Sequence, residues 1–117
     1  MTESQLVQLR KGVLEYCILA QIADAPKYGL ELAKQLSQYG NLLANEGNLY
    51  PILSRLRKLG WVTTMWVEAP AGPPRRYYGI TADGRAALRT FRETWVAFSA
   101  DATAALAATQ DRVPSAT

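Results

Sequence analysis

Histidine is absent from this chain, and cysteine occurs once, at Cys17. No disulfide can form within one copy, and the Cys/His sets that hold structural zinc do not exist. There is also no glycine-rich phosphate loop and no pair of carboxylates within one element. The groups that normally perform acid–base, nucleophilic or metal-assisted chemistry are therefore missing. A non-enzyme with no cofactor and no metal is expected. Long apolar runs are lacking too. The nearest approach, "VLEYCILAQIA", carries Glu15 and is too short to span a bilayer. Cys17 lies within it and reads as a buried structural thiol. The N-terminal "MTESQLVQLRKG" is polar and has no signal-peptide form, so a cytoplasmic protein with no membrane partner is expected.

What is present is a local excess of positive charge. Lys and Arg number 13 against 10 Asp and Glu. Eight of those cations fall between Arg55 and Arg92 beside two anions, Glu68 and Asp83, which leaves five cations and eight anions elsewhere. Such a patch suits phosphate binding, and equally a merely solvated surface. With 49% hydrophobic residues in 117, the chain can bury the core of one ordinary domain. A chain this short still leaves much surface exposed, some of it available to a partner.

Apolar residues at Leu6, Leu9, Val13, Cys17 and Ala20, with Leu14, Ile18 and Ile22 beside them, predict one helix from Leu6 to Ala23. Pro26 stops it. "YGLELAKQLSQYG" predicts a second helix with Leu30, Ala33 and Leu36 on one side and Gly40 available for a left-handed turn. A third lies in "NLYPILSRLRKLG". Leu49, Ile52, Leu53, Leu56 and Leu59 form one side, and Tyr50, Pro51, Ser54 and Lys58 the other, flanked by Arg55 and Arg57. Pro51 belongs in a first turn, which favours Asn48 as the N-cap; a start at Asn45 through an irregular turn is the alternative.

Gly60 ends that helix. "WVTTMWV" and "RRYYGI" read as strands joined by the Pro-rich loop "EAPAGPP". Tyr77 and Tyr78 alternate sides, one core and one surface, and Trp61 and Trp66 are expected beneath the hairpin. Thr81 caps a last helix expected over Ala82–Ala108, about 40 Å long. Its apolar residues Leu88, Phe91, Trp95, Phe98, Ala102 and Ala105 alternate in steps of three and four, the heptad seam of one helix lying along another. Residues 110–117 are expected to be a disordered tail.

The expected fold is thus mainly α with a small β-hairpin. A winged helix-turn-helix DNA-binding domain occupies residues 1–80, and a long C-terminal dimerisation helix residues 81–109. In that architecture the third helix enters the major groove and the hairpin, or wing, touches the flanking backbone. Asn48, Tyr50, Pro51 and Ser54 are placed for base edges; Arg55 and Lys58, with Arg75 and Arg76, for phosphates. A charged strand edge guarding against aggregation is the plainer reading of the two wing arginines. Leu88, Phe91, Trp95, Phe98 and Ala102 are expected to face a second copy, because so long a helix has little of its own chain left to cover it. Trp95 is either a plain dimer-core aromatic or a platform for a ligand.

The motifs carry a resemblance. "LRKGVLEYCILAQIADAPKYGLELAKQL", "EGNLYPILSRLRKLGWV" and "GPPRRYYGITADGRAALRTFRETW" occur in the order and at the spacing of the PadR family of bacterial transcriptional regulators, over roughly residues 6–100. A single C-terminal helix resembles the short subfamily, multidrug-sensing members included. The resemblance implies a homodimer on a pseudo-palindromic double-stranded operator, repressing a neighbouring detoxification or efflux gene. It also implies release by a planar aromatic small molecule or a phenolic acid. Some short members hold a flat drug between subunits against a Trp of the last helix. Trp95 occupies that position, with Phe91, Phe98 and Val13 as its companions. The wing tip "APAGPP" departs from the family pattern in its proline content. Two other functions stay open: an adaptor docking a protein partner, and an aromatic-drug-binding protein with no specific operator.

Overall fold

In the computed structural model, which describes residues 3–108, the helix expected from Leu6 to Ala23 is two helices. α1 (Glu3–Arg10) stops at a turn in which Lys11 N–H donates to Gln8 O and Val13 N–H to Arg10 O. Gly12 sits there at φ +75°, a left-handed conformation that costs glycine little. α2 (Leu14–Gln21) follows this turn. The apolar spacing ran through the break unaltered, and the one signal of it was Gly12. The tail expected over residues 110–117 lies outside the described residues.

Pro26 precedes a two-residue strand, β1 (Lys27–Tyr28), and the Lys27 ammonium donates to the Gln21 carbonyl at the end of α2. α3 (Gly29–Ser37) buries Gly29, Leu32, Ala33 and Leu36. Leu30, expected on the buried side, is exposed; Leu32 takes its place. A 3-10 turn (Glu46–Asn48) leads into α4 (Leu49–Lys58). β2 (Val62–Val67) and β3 (Arg75–Ile80) form the expected hairpin. The expected pair of strands is in fact a three-stranded antiparallel sheet, because β1 adds to the free edge of β3 with Lys27 opposite Tyr78 and Tyr28 opposite Tyr77. Two residues carry no readable period, so sequence pattern alone could not reveal this strand.

The core lies where α2, α3 and α4 meet the base of the sheet. Ile18 and Leu19 of α2 with its C-cap residue Ile22, Leu32 and Leu36 of α3, and Leu49, Leu53 and Leu56 of α4 are all but fully buried. Each such side chain stabilises the fold by about 1.5–3 kcal/mol relative to exposure. Val62, Tyr78 and Leu88 close the cluster from the sheet and the last helix. Of the tyrosine pair, Tyr78 is the core member and Tyr77 tilts against Tyr28, ring centroids 5.6 Å apart. Trp61 is half-buried against the core. Trp66 is not beneath the hairpin: it is 69% exposed on β2.

α5 (Ala82–Ala108) has the expected bounds. Its first turn is locked to the end of α4. Gly60, at φ +82°, lets α4 close with Gly60 N–H on Arg57 O and Trp61 N–H on Leu56 O, a Schellman turn. Thr81 then caps α5 by accepting from Gly84 N–H at 3.0 Å, and its hydroxyl donates to Gly60 O at 2.6 Å. Gly84 lies so close to Trp61 that a Cβ would stand 2.2 Å from its carbonyl oxygen. The far end of α4 is therefore tied directly to the start of α5.

Candidate nucleic-acid interface

The outward side of α4 follows from its inward one. With Leu49, Leu53 and Leu56 in the core, the 100° step leaves Asn48, Tyr50, Pro51, Ser54, Arg55, Arg57 and Lys58 at the surface, and all seven are exposed. Leu59, expected on the buried side, is 46% exposed, because it is the C-cap residue at the edge of the apolar stripe. Asn48 stands at the N-cap position of α4, as expected, but it does not cap through its side chain. Its backbone is already helical, and the chain enters through the irregular turn that begins at Asn45.

Tyr50 is set by its neighbours. Its ring lies over Gly29, where an added Cβ would fall 2.7 Å from it, and its hydroxyl donates to the Glu46 carboxylate at 3.4 Å. Burial of the phenol raises its pKa, followed by the charge and hydrogen bond of Glu46 and by Tyr78. Tyr50 thus keeps its phenolic proton and serves as a hydrogen-bond donor. It shares an open hollow of about 230 Å³ with Tyr28, Arg75 and Arg76, where the wing meets α4. Two elements distant in sequence are brought together there.

The wing arginines part company, as neighbours on a strand must. Arg75 is exposed, its guanidinium 4.6 Å from the centroid of the Tyr28 ring. Arg76 is half-buried between Trp66 and Tyr78, 5.9 and 5.7 Å from their centroids, and its Nε is buried without a hydrogen-bond partner. On α4, Arg55 forms an ion pair with Glu15 of α2. Lys58 and Arg75 have no ion-pair partner among the described residues. Tyr28, Glu46 and Glu15 were missed in the sequence. Tyr28 hid in a strand of two residues, and Glu15 lies 40 positions from its partner.

The seam of α5 divides. Leu88 is 5% exposed within its own chain, so it belongs to the core and is not available to a second copy. Phe91 stacks on Tyr16 of α2, centroids 4.1 Å apart and planes within 4°. Trp95 stacks on Phe91 in turn, at 5.9 Å, yet is 42% exposed. Phe98 is 64% exposed and Ala102 half-exposed. Val96 and Leu106, off the expected seam, are exposed as well. Val13 is half-buried at the start of α2. Among the described residues no cluster of His, Cys, Asp or Glu could hold a metal, and no helix is long and apolar enough to cross a membrane.

The model of the PadR-like transcriptional regulator family matches residues 18–90, from the middle of α2 into α5. The chain belongs to this family. It is accordingly a transcriptional regulator and not an enzyme. A PadR-like regulator from Bacillus cereus is 36% identical, with a TM-score of 0.76 over 85% of this chain and 96% of that one. A PadR family regulator from Eggerthella lenta is 30% identical, again with a TM-score of 0.76, over 88% and 89% of the two chains. Bacillus subtilis PadR, solved in complex with operator DNA, shares the fold at 22% identity and a TM-score of 0.61; 68% of this chain aligns with 46% of that longer one.

Proposed function

We propose that this PadR-like regulator is a homodimeric repressor that reads a pseudo-palindromic DNA operator through α4 and the wing. The observation that carries the reading is the outward side of α4. Asn48, Tyr50, Pro51 and Ser54 are exposed on a helix whose Leu49, Leu53 and Leu56 are buried in the core, and Arg75 of the wing shares a hollow with Tyr50. Asn48 and Ser54 offer hydrogen bonds to base edges, while Lys58 and Arg75 offer charge to phosphates. Arg55 and Arg76 are already engaged within the chain. Support also comes from Bacillus subtilis PadR, a protein of the same fold that binds operator DNA.

Dimerisation is proposed through the far half of α5. Trp95, Phe98 and Ala102 lie beyond the part of the helix that α2 covers, and exposed aromatics in a row favour a partner. A second copy aligned there would hold two α4 helices at a fixed span in the cytoplasm. A planar aromatic inducer or phenolic acid lodged at Trp95, with Phe91, Phe98 and Val13, would release DNA only insofar as it favours dimer shapes of another span.

Selection of duplexes from a random pool tests the reading. The expected product is a symmetric site whose half-sites are centred about 34 Å apart or a multiple of it. Affinity for it should fall with salt at a log–log slope of about −0.9 for each of some four to six phosphates per dimer. A shallow slope with no selected symmetry overturns DNA reading and favours a protein-docking adaptor. Aromatic binding that quenches Trp fluorescence without weakening DNA binding removes the inducer.

A further inference from the structure

The ion pair between Glu15 and Arg55 sits at an odd place for a DNA-reading helix. Its two members are unequally buried: the Glu15 side chain is 11% exposed, that of Arg55 63%. A carboxylate so enclosed is costly to leave without a counter-charge, whereas a guanidinium at the surface is well solvated either way. Other cations nearby are poor replacements. Arg10, which lines the same cleft between the α1–α2 turn and α4, is bound to Glu3 at 3.1 Å and donates its Nε–H to Asn41 O at 2.9 Å. Lys11 lines the cleft too, but is exposed on the turn itself.

We infer that Glu15 is a positioning residue that withholds Arg55 from the DNA backbone, fixing the guanidinium against α2 while Lys58 and Arg75 make the phosphate contacts. The inference rests on the DNA-reading function proposed above. Its logic is competition. A phosphate reached by Arg55 would gain one solvent-exposed contact and strand an enclosed carboxylate, so the internal pair wins. The pair also braces α4 against α2.

Phosphate contacts are counted by the salt dependence of affinity for any duplex, so a random-sequence DNA serves as the probe. Glu15→Gln keeps the shape and removes the charge. It should free Arg55 in both protomers and steepen the log–log slope by about 1.8, twice the 0.9 per contact. The affinity ratio of variant to wild type should then fall about tenfold between 50 and 200 mM salt. Arg55→Gln alone should leave the wild-type slope unchanged, and the double variant should return to it. A fall in slope on Arg55→Gln, or no change on Glu15→Gln in a chain that melts cooperatively, overturns the inference. Should Glu15→Gln fail to fold, the wild type still decides. Its Arg55 guanidinium NMR resonances should stay put on adding duplex while those of Arg75 shift, and a shift at Arg55 contradicts the assignment. A wild type that binds no duplex sinks the DNA-reading function as well, whereas steep binding insensitive to Glu15 sinks only this inference.

Discussion

Two glycines and a thiol expose how closely single residues are constrained. Gly84 and Gly79 are both buried, but a Cβ at Gly84 meets the Trp61 carbonyl oxygen at 2.2 Å while one at Gly79 meets Pro26 at an ordinary 3.5 Å. Gly84→Ala should therefore destabilise the protein by about 1–3 kcal/mol by prising α5 from the end of α4, and Gly79→Ala should change little. Thermal melts of the two variants check the contrast. Cys17 is half-buried, and burial raises its thiol pKa. Because the thiolate is disfavoured in the folded state, this group stabilises folding below the thiol's ordinary pKa, and that contribution is lost as pH rises through its raised value. The thiol should accordingly react with a disulfide reagent more slowly in the native protein than in guanidinium at pH 8, and equal rates would contradict its burial. Residue identity was legible where chemistry is local. Thr81 was read as a cap because Ser and Thr hydroxyls suit that place, and it caps α5. Partners across the chain, such as Glu15 for Arg55 or Tyr28 for Arg75, leave no trace in spacing.

At the scale of elements, period decided what could be read. α4 and α5 announced themselves through long, clean repeats, and the bounds of α5 were legible to the residue. The α1–α2 break was not, because an apolar stripe can continue in register through a glycine turn, and the helix count was one short. β1 escaped for lack of length. The heptad seam was real as a pattern but ambiguous as to its cover: Leu88 and Phe91 pack within their own chain, whereas Trp95, though stacked on Phe91, and Phe98 stay exposed. The wing shows the same limit. Both Arg75 and Arg76 were expected at phosphates, and nothing in the sequence told that Arg76 would be held between Trp66 and Tyr78 while Arg75 stays exposed. The structure implies an asymmetry between them. Arg75→Ala should weaken binding to all duplexes equally and flatten the salt slope by about 1.8 per dimer, one contact in each protomer. Arg76→Ala should chiefly lower the melting temperature, since it empties the space between Trp66 and Tyr78. Parallel salt titrations and melts separate the two effects, and an equal loss of slope in both variants would refute the distinction.

The molecule as a whole is a reading head with an uncovered strut. α2, α3, α4 and the sheet share one core; α5 shares it only as far as Leu88 and the stack of Phe91 on Tyr16. Beyond that point Trp95, Val96 and Phe98 are exposed, so Phe98→Asp should dissociate the proposed dimer while leaving the head folded. Sedimentation with circular dichroism measures both, and a dimer that survives the charge would move the interface elsewhere. In the proposed dimer, DNA reading by two heads would depend on one geometric quantity, the distance between them. The direct test is a series of duplexes carrying the selected half-site twice, with the spacer lengthened one base pair at a time. Affinity should peak where the half-site centres lie a whole number of turns apart, near 10–10.5 base pairs each, and fall steeply half a turn away. Equal affinity at every spacing would mean that the heads act independently, and the account of a rigid dimer spanning two half-sites would be wrong.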